Sequence, residues 1–171
     1  MGTAEPLGIL VFGAGAIGTY VGGSLALRGH RAVFVEREEV RAAIARTGIS
    51  IRAAGGETRS LPPSSFGLAS TPGEALAMGP FDVAIVALKS FDVPSLIASL
   101  EPELARMGGL PLLCLSNGVD NEPELARALG AGRVIAGTLT TAVGRRAAGE
   151  VAVERLRGAG IASSHPLSET L

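Results

Sequence analysis

Tryptophan is absent, tyrosine occurs once and aromatic residues make up only 4% of the 171 residues. Any core must therefore be built from Leu, Ile, Val and Ala. A single cysteine, Cys114, excludes an internal disulfide and points to a reducing, cytoplasmic compartment. Charged residues are 18% of the chain, below the ~25% typical of globular proteins. Acidic and basic side chains nearly cancel, leaving a net charge of −1. Without a basic excess the chain has little to set against a phosphate backbone, which argues against a nucleic-acid binder. A hydrophobic content of 47% excludes a disordered tail. Lysine is the other scarcity: Lys89 is the only one, and the remaining basic residues are all arginine.

Gly8 to Leu27 runs for 20 residues without a charge, the length of a membrane span. Six glycines with Thr19, Tyr20 and Ser24 interrupt it, and only Glu5 precedes it, where a signal peptide carries basic residues. A buried strand, a turn and a buried helix account for the same composition, so no membrane is expected.

The chain alternates apolar runs with helical patterns. Gly8–Phe12 reads as a strand buried on both faces, because its apolar run is continuous rather than alternating. A helix follows over Ala16–Leu27, a strand over Ala32–Glu36 and a helix over Glu38–Arg46. Ile49–Ala53 and Thr58–Leu61 flank Gly55-Gly56, a hairpin signal. Pro62–Gly73 reads as loop with a short strand at Phe66–Ala69. The alternation resumes with strand Asp82–Leu88, helix Val93–Met107 (kinked or restarted at Pro102), strand Leu110–Leu115, helix Glu122–Leu129 and strand Val134–Thr138. Strands separated by helices at this spacing predict an α/β, doubly wound, mainly parallel sheet with helices on both faces. Glu150–Leu156 alternates as a strand, and 158–171 shows no clear element. The expected organisation is a domain over 1–157 and a tail or linker over 158–171.

Gly13-Ala14-Gly15-Ala16-Ile17-Gly18 fits G-x-G-x-x-G. The pattern gains meaning from its place, after a buried strand and at the opening of a helix. Gly13 allows the tight turn, Gly15 lets the backbone approach a pyrophosphate and Gly18 lets the helix pack on the strand. Free amides and the positive helix end favour the anion. Glu36, 18 residues beyond Gly18, stands where an acid accepts ribose hydroxyls and favours NAD. Arg37 beside it can grip the 2′-phosphate of NADP. These residues alone leave the choice open. Glu38 and Glu39 read as acids suited to a helix N-terminus.

Lys89 and Asn117 each fall just past the carboxyl end of a buried strand, where ligands bind in open parallel sheets. A single lysine in an arginine-using chain suggests that a compact ammonium is wanted there. The Asn117 amide can donate and accept beside a nicotinamide or a substrate carbonyl. Cys114 reads as a core residue. His30 and His165 sit in a loop and in the tail, with no metal-ligand spacing.

The ordered set GAGAIG (13–18), RGHRAVFVER (28–37), ALKSFD (87–92), LSNGVDNE (115–122), GTLTTAV (137–143) and RRAAGEV (145–151) resembles the N-terminal domain of the ketopantoate reductase (2-dehydropantoate 2-reductase) family over nearly the whole chain. That resemblance implies a Rossmann-like fold and NADPH-dependent reduction of a 2-keto acid to pantoate, a step towards pantothenate. It places Gly13, Ala14, Gly15, Ala16, Ile17 and Gly18 on the pyrophosphate and Arg37 on the 2′-phosphate, with NAD as the alternative cofactor. Lys89 is then a cofactor contact, Asn117 lies where nicotinamide and substrate meet, and the backbone near Val143 touches the cofactor. Asp120 stands where the family usually has Gly. The family's helical C-terminal domain supplies the catalytic lysine that acts as general acid. Leu171 falls about where that domain is expected to begin, so no catalytic residue is assigned within the chain. That domain, or a partner chain carrying it, is the implied protein partner, and an uncovered apolar face is expected to promote self-association into a homo-oligomer. A stand-alone NAD(P)-binding module and another 2-keto acid dehydrogenase sharing this domain are the competing readings.

Overall fold

The computed structural model describes residues 5–162; His165 and the rest of 163–171 lie outside the described residues. At its centre is β1 (Gly8–Phe12), buried at every position. Alternate residues leave its two sides: Ile9 and Val11 join one apolar cluster, Leu10 and Phe12 the other. This explains the unbroken hydrophobic run, since both faces of the strand are covered.

The elements follow in order: α1 (Ala16–Ala26), β2 (Arg31–Val35), α2 (Glu38–Thr47), β3 (Ile49–Arg52), β4 (Thr58–Leu61), β5 (Gly67–Ala69), α3 (Pro72–Leu76) and β6 (Val83–Val86). Then come α4 (Val93–Leu100), α5 (Leu104–Met107), β7 (Leu112–Cys114), α6 (Asn121–Leu129), β8 (Val134–Leu139), β9 (Ala142–Ala147), β10 (Glu150–Arg155) and β11 (Ala159–Ile161). Seven strands form one sheet in the order β11-β8-β7-β6-β1-β2-β5. All neighbours in it are parallel except the edge pair β11–β8. The expected doubly wound α/β sheet is therefore present, and it is Rossmann-like. The chain leaves β1 towards β2 on one side and returns through β6 on the other, so the order reverses at β1.

A second sheet, β4-β3-β10-β9, was not expected. The hairpin β3–β4 forms as predicted, but β10 then pairs parallel to β3 and antiparallel to β9. Helix α1 is sandwiched between the sheets. A methyl group on Gly22 would lie 2.7 Å from the Phe34 ring, and one on Gly23 would lie 3.0 Å from Ile51 Cδ1. A glycine-rich helix is thin enough to be covered on two sides.

Two further expectations are corrected. The stretch after Arg157 is not featureless, because Ala159–Ile161 pairs with Gly137–Leu139; a three-residue edge strand is too short to show a period. The loop over 62–73 carries its expected short strand, β5, paired with β2, but a helix the sequence reading did not expect, α3, opens at Pro72. The helix expected over 93–107 restarts at Pro102, as expected: a 3-10 turn at Glu101–Glu103 separates α4 from α5, because a ring lacking an N–H interrupts the ladder. No helix among the described residues is long and apolar enough to cross a membrane.

Candidate functional site

Gly13 follows β1 with φ +96°, a conformation that a side chain disfavours. Its amide donates to the Val35 carbonyl at 3.0 Å, and a Cβ there would press on Leu88 Cδ2 at 2.7 Å and the Ala87 carbonyl oxygen at 2.9 Å. Gly18 is equally constrained, since a Cβ on it would run into the Gly13 carbonyl oxygen. Thr19, fully buried, donates its hydroxyl to the Ala14 carbonyl at 2.9 Å and ties the helix to the turn.

Gly15 differs. A Cβ built on it meets nothing within 4 Å, so no packing inside the chain requires glycine there. It is the N-cap of α1, with no side-chain cap and no acid in the first turn. The amides of Ala16, Ile17 and Gly18 therefore face outward without intrahelical acceptors. Open space above a glycine, next to uncapped amides and a positive helix end, fits the pyrophosphate of a dinucleotide.

Glu36, just past the end of β2, turns its carboxylate onto two backbone amides. Its Oε2 accepts the Ala14 N–H at 2.8 Å and its Oε1 accepts the Arg37 N–H at 2.9 Å. The side chain is 12% exposed, while that of Arg37 is 85% exposed with Nε 3.7 Å from Glu36 Oε1. The structure thus joins Arg37, Glu36 and the glycine turn. Glu38 and Glu39 occupy the first turn of α2 as expected, but no side chain caps that helix. Glu38 instead accepts from Arg41 Nε and Ser70 Oγ, both at 2.8 Å. The Arg41 guanidinium and then the Ser70 hydroxyl pull its carboxyl down to a pKa of about 2.

Lys89 follows β6 and Asn117 follows β7, both exposed at the carboxyl edge of the sheet. Gly13 packs against Ala87 and Leu88, which places Lys89 next to the glycine turn along the rim. Two residues within the ALKSFD and LSNGVDNE motifs that are not among the candidate site residues, Ser90 and Asn121, join the loops. Ser90 Oγ lies 2.7 Å from the Asn117 carbonyl oxygen and 2.8 Å from Asn121 Oδ1. Buried Asn121 donates from Nδ2 to the Asn117 carbonyl at 3.0 Å. Phe91 and Val119, beside Lys89 and Asn117, are 78% and 85% exposed and form an apolar margin to the rim. Val143 lies apart on β9, opposite Val153, its half-buried side chain in the cluster beneath α1.

Other groups stay structural. Cys114 is buried in β7, and burial pushes its thiol up to a pKa of about 11. His30 Nδ1 accepts the Leu7 N–H at 3.1 Å. Among the described residues, no three His, Cys, Asp or Glu gather as a metal site. A cavity of about 440 Å³ lies elsewhere, on the second sheet beside Arg52, Arg146, Glu150 and Glu154. The uncapped amides and converging strand ends lie at the rim, away from that cavity.

Comparison with known proteins agrees with this geometry. The family model described as ketopantoate reductase PanE/ApbA matches residues 9–163. An uncharacterized oxidoreductase, YkpB, of Bacillus subtilis (strain 168) is 31% identical over 93 residues, which cover 54% of this chain and 28% of that protein. A PanE/ApbA family ketopantoate reductase from Ralstonia eutropha JMP134 superposes with a TM-score of 0.77 at 26% identity, covering 91% of this chain and 49% of that one. A 2-dehydropantoate 2-reductase from Geobacter metallireducens GS-15 gives 0.72 at 31% identity, covering 91% and 48%. The chain spans about half the length of these solved relatives. With the family model matched across β1 to β11, the chain belongs to the ketopantoate reductase PanE/ApbA family.

Proposed function

We propose that this chain is the dinucleotide-binding half of a cytoplasmic reductase that turns 2-dehydropantoate into pantoate with NADPH, on the route to pantothenate. The observation that carries the reading is the open, uncapped start of α1 at Gly15, on the rim that also holds Lys89 and Asn117. The amides of Ala16, Ile17 and Gly18 hold the pyrophosphate, and the exposed Arg37 guanidinium meets the 2′-phosphate as a planar donor. Lys89 adds a positive charge at the same rim, and Asn117 orients nicotinamide and keto acid by donating and accepting through its amide. By the family resemblance, the backbone near Val143 is a further cofactor contact. When bound, the nicotinamide supplies the hydride. Proton delivery to the nascent alkoxide falls to the lysine of a helical C-terminal domain, or of a partner chain carrying it, since Lys89 is already engaged.

Fluorescence titration tests the reading. NADPH binds the wild-type chain, and Arg37→Ala weakens it by about 1.5–3 kcal/mol, the scale of a charged hydrogen bond. NADH binding is nearly unchanged in the same variant. Supplied with NADPH and ketopantoate, the chain alone turns over slowly, because a missing general acid costs roughly 10²–10⁴ in rate. Failure to bind either nucleotide, or fast turnover by residues 1–171 alone, contradicts the reading.

A further inference from the structure

Resting on the reading of this chain as half of a 2-keto acid reductase, we infer that Arg157, with Arg155 beside it, forms a carboxylate-binding subsite at the rim that takes the acid group of the keto acid. The carboxyl edge of the main sheet runs on past Asn117. β8 pairs parallel to β7, so Thr140 and Thr141 leave β8 at the same edge. β11 pairs antiparallel to β8 with Ala159 opposite Leu139, which puts the connection over 156–158 at that edge too. The loop holding Arg157 therefore lies about 10 Å, two strand spacings, from the loop holding Asn117.

A recess of about 370 Å³ opens there, lined by Thr140, Ala142, Glu154, Arg155 and Arg157. Its charge is lopsided. Arg155 and Arg157 are exposed, and neither guanidinium meets a carboxylate among the described residues. The one acid, Glu154, is turned towards β9: its Oε1 lies over Gly144 and 3.9 Å from Arg146 Nη2. A planar guanidinium takes a carboxylate through two parallel N–H bonds. A 2-keto acid is charged at neutral pH, and Lys89 is already committed to the cofactor, so these arginines meet an otherwise unmatched charge.

The base of Arg157 is fixed, although its side chain is free. Its amide donates to Thr141 Oγ1 at 3.2 Å, and the next carbonyl, that of Gly158, accepts the Thr140 amide at 2.9 Å and the Thr140 hydroxyl at 3.0 Å. Thr141 is buried, and its hydroxyl reaches both Arg157 and Gly158. Backbone held in this way leaves only a side chain to be ordered when the ligand arrives.

The experiment is an NMR titration of ketopantoate into the isotope-labelled chain saturated with NADP+, a pair that cannot turn over. Ketopantoate shifts the amides of Thr140, Thr141 and Gly158, while ketopantoyl lactone, which has no free acid, leaves them in place. Arg157→Ala removes an exposed side chain, keeps the backbone bonds, and weakens ketopantoate by at least about tenfold, the loss of a charged hydrogen bond. Arg157→Lys keeps the charge without the fork and falls between the two. The wild-type comparison of acid and lactone decides the matter if neither variant folds. Equal shifts from acid and lactone, no shift at these amides, or a change below about twofold in Arg157→Ala overturns the inference while leaving dinucleotide binding intact. If wild type does not bind NADP+, the functional reading falls, and the inference falls with it.

Discussion

Ser90 Oγ stands 2.7 Å from the Asn117 carbonyl oxygen and 2.8 Å from Asn121 Oδ1, so a single hydroxyl links the loop after β6 to the loop after β7. Asn121 completes the link by donating back to Asn117. Lys89 and Asn117, the two rim residues that the sequence singled out, owe their relative position to this pair.

The link is polar and buried at Asn121, so breaking it is costly. Asn121→Ala should lower unfolding stability by about 1–3 kcal/mol, the range for stranding buried partners. Ser90→Ala should cost less, about 0.5–1.5 kcal/mol. Urea unfolding of both variants checks this; a larger loss from Ser90→Ala than from Asn121→Ala would reverse the assigned roles.

Much of this architecture was legible in the sequence, and the reasons are physical. β1 and β6 are covered on both faces, and such strands must be continuously apolar. The glycine turn was legible because positive φ at Gly13 and the helix packed at Gly18 each demand the residue. The second sheet was harder to see: β9 carries Arg145 and Arg146 on an edge strand whose residues are mostly exposed, so burial imposes no pattern on it. A usable signal went unread at α3, where Thr71 caps the helix by accepting the Glu74 amide at 3.2 Å, the T-x-x-E signature of a helix start. The tertiary role of Glu36 has no local signal, because Ala14 reaches it only when β1 and β2 pair.

Glu38 should make a pH-dependent contribution to stability. Its folded carboxyl has a pKa of about 2, below the ordinary 4.5. A depressed acid stabilises the fold above its unfolded value and loses that contribution as pH falls towards its folded one. The melting-temperature gap between wild type and Glu38→Gln should therefore shrink between pH 4.5 and pH 2. A gap that stays constant across that window would mean that the Arg41 and Ser70 contacts do not persist in solution.

Cys114 should behave as a sealed core group. With a pKa pushed up to about 11 by burial, roughly one thiol in a thousand is ionised at pH 8. A thiol reagent should label the native chain at least about 100-fold more slowly than the urea-unfolded chain. Rapid native labelling would place Cys114 at the surface and break the account of the β7 core.

The central claim, that the first strand-to-helix turn cradles a dinucleotide pyrophosphate, is tested most directly at Gly15. The space above this glycine is empty of protein, so Gly15→Ala costs the fold no more than about 1 kcal/mol at an N-cap, yet puts a methyl group where the phosphates must approach. Calorimetric titration of NADPH into wild type and Gly15→Ala, with melting curves of both, should show similar stability and at least a tenfold loss of affinity, about 1.4 kcal/mol. Equal affinity in the two proteins, with both folded, would contradict the account.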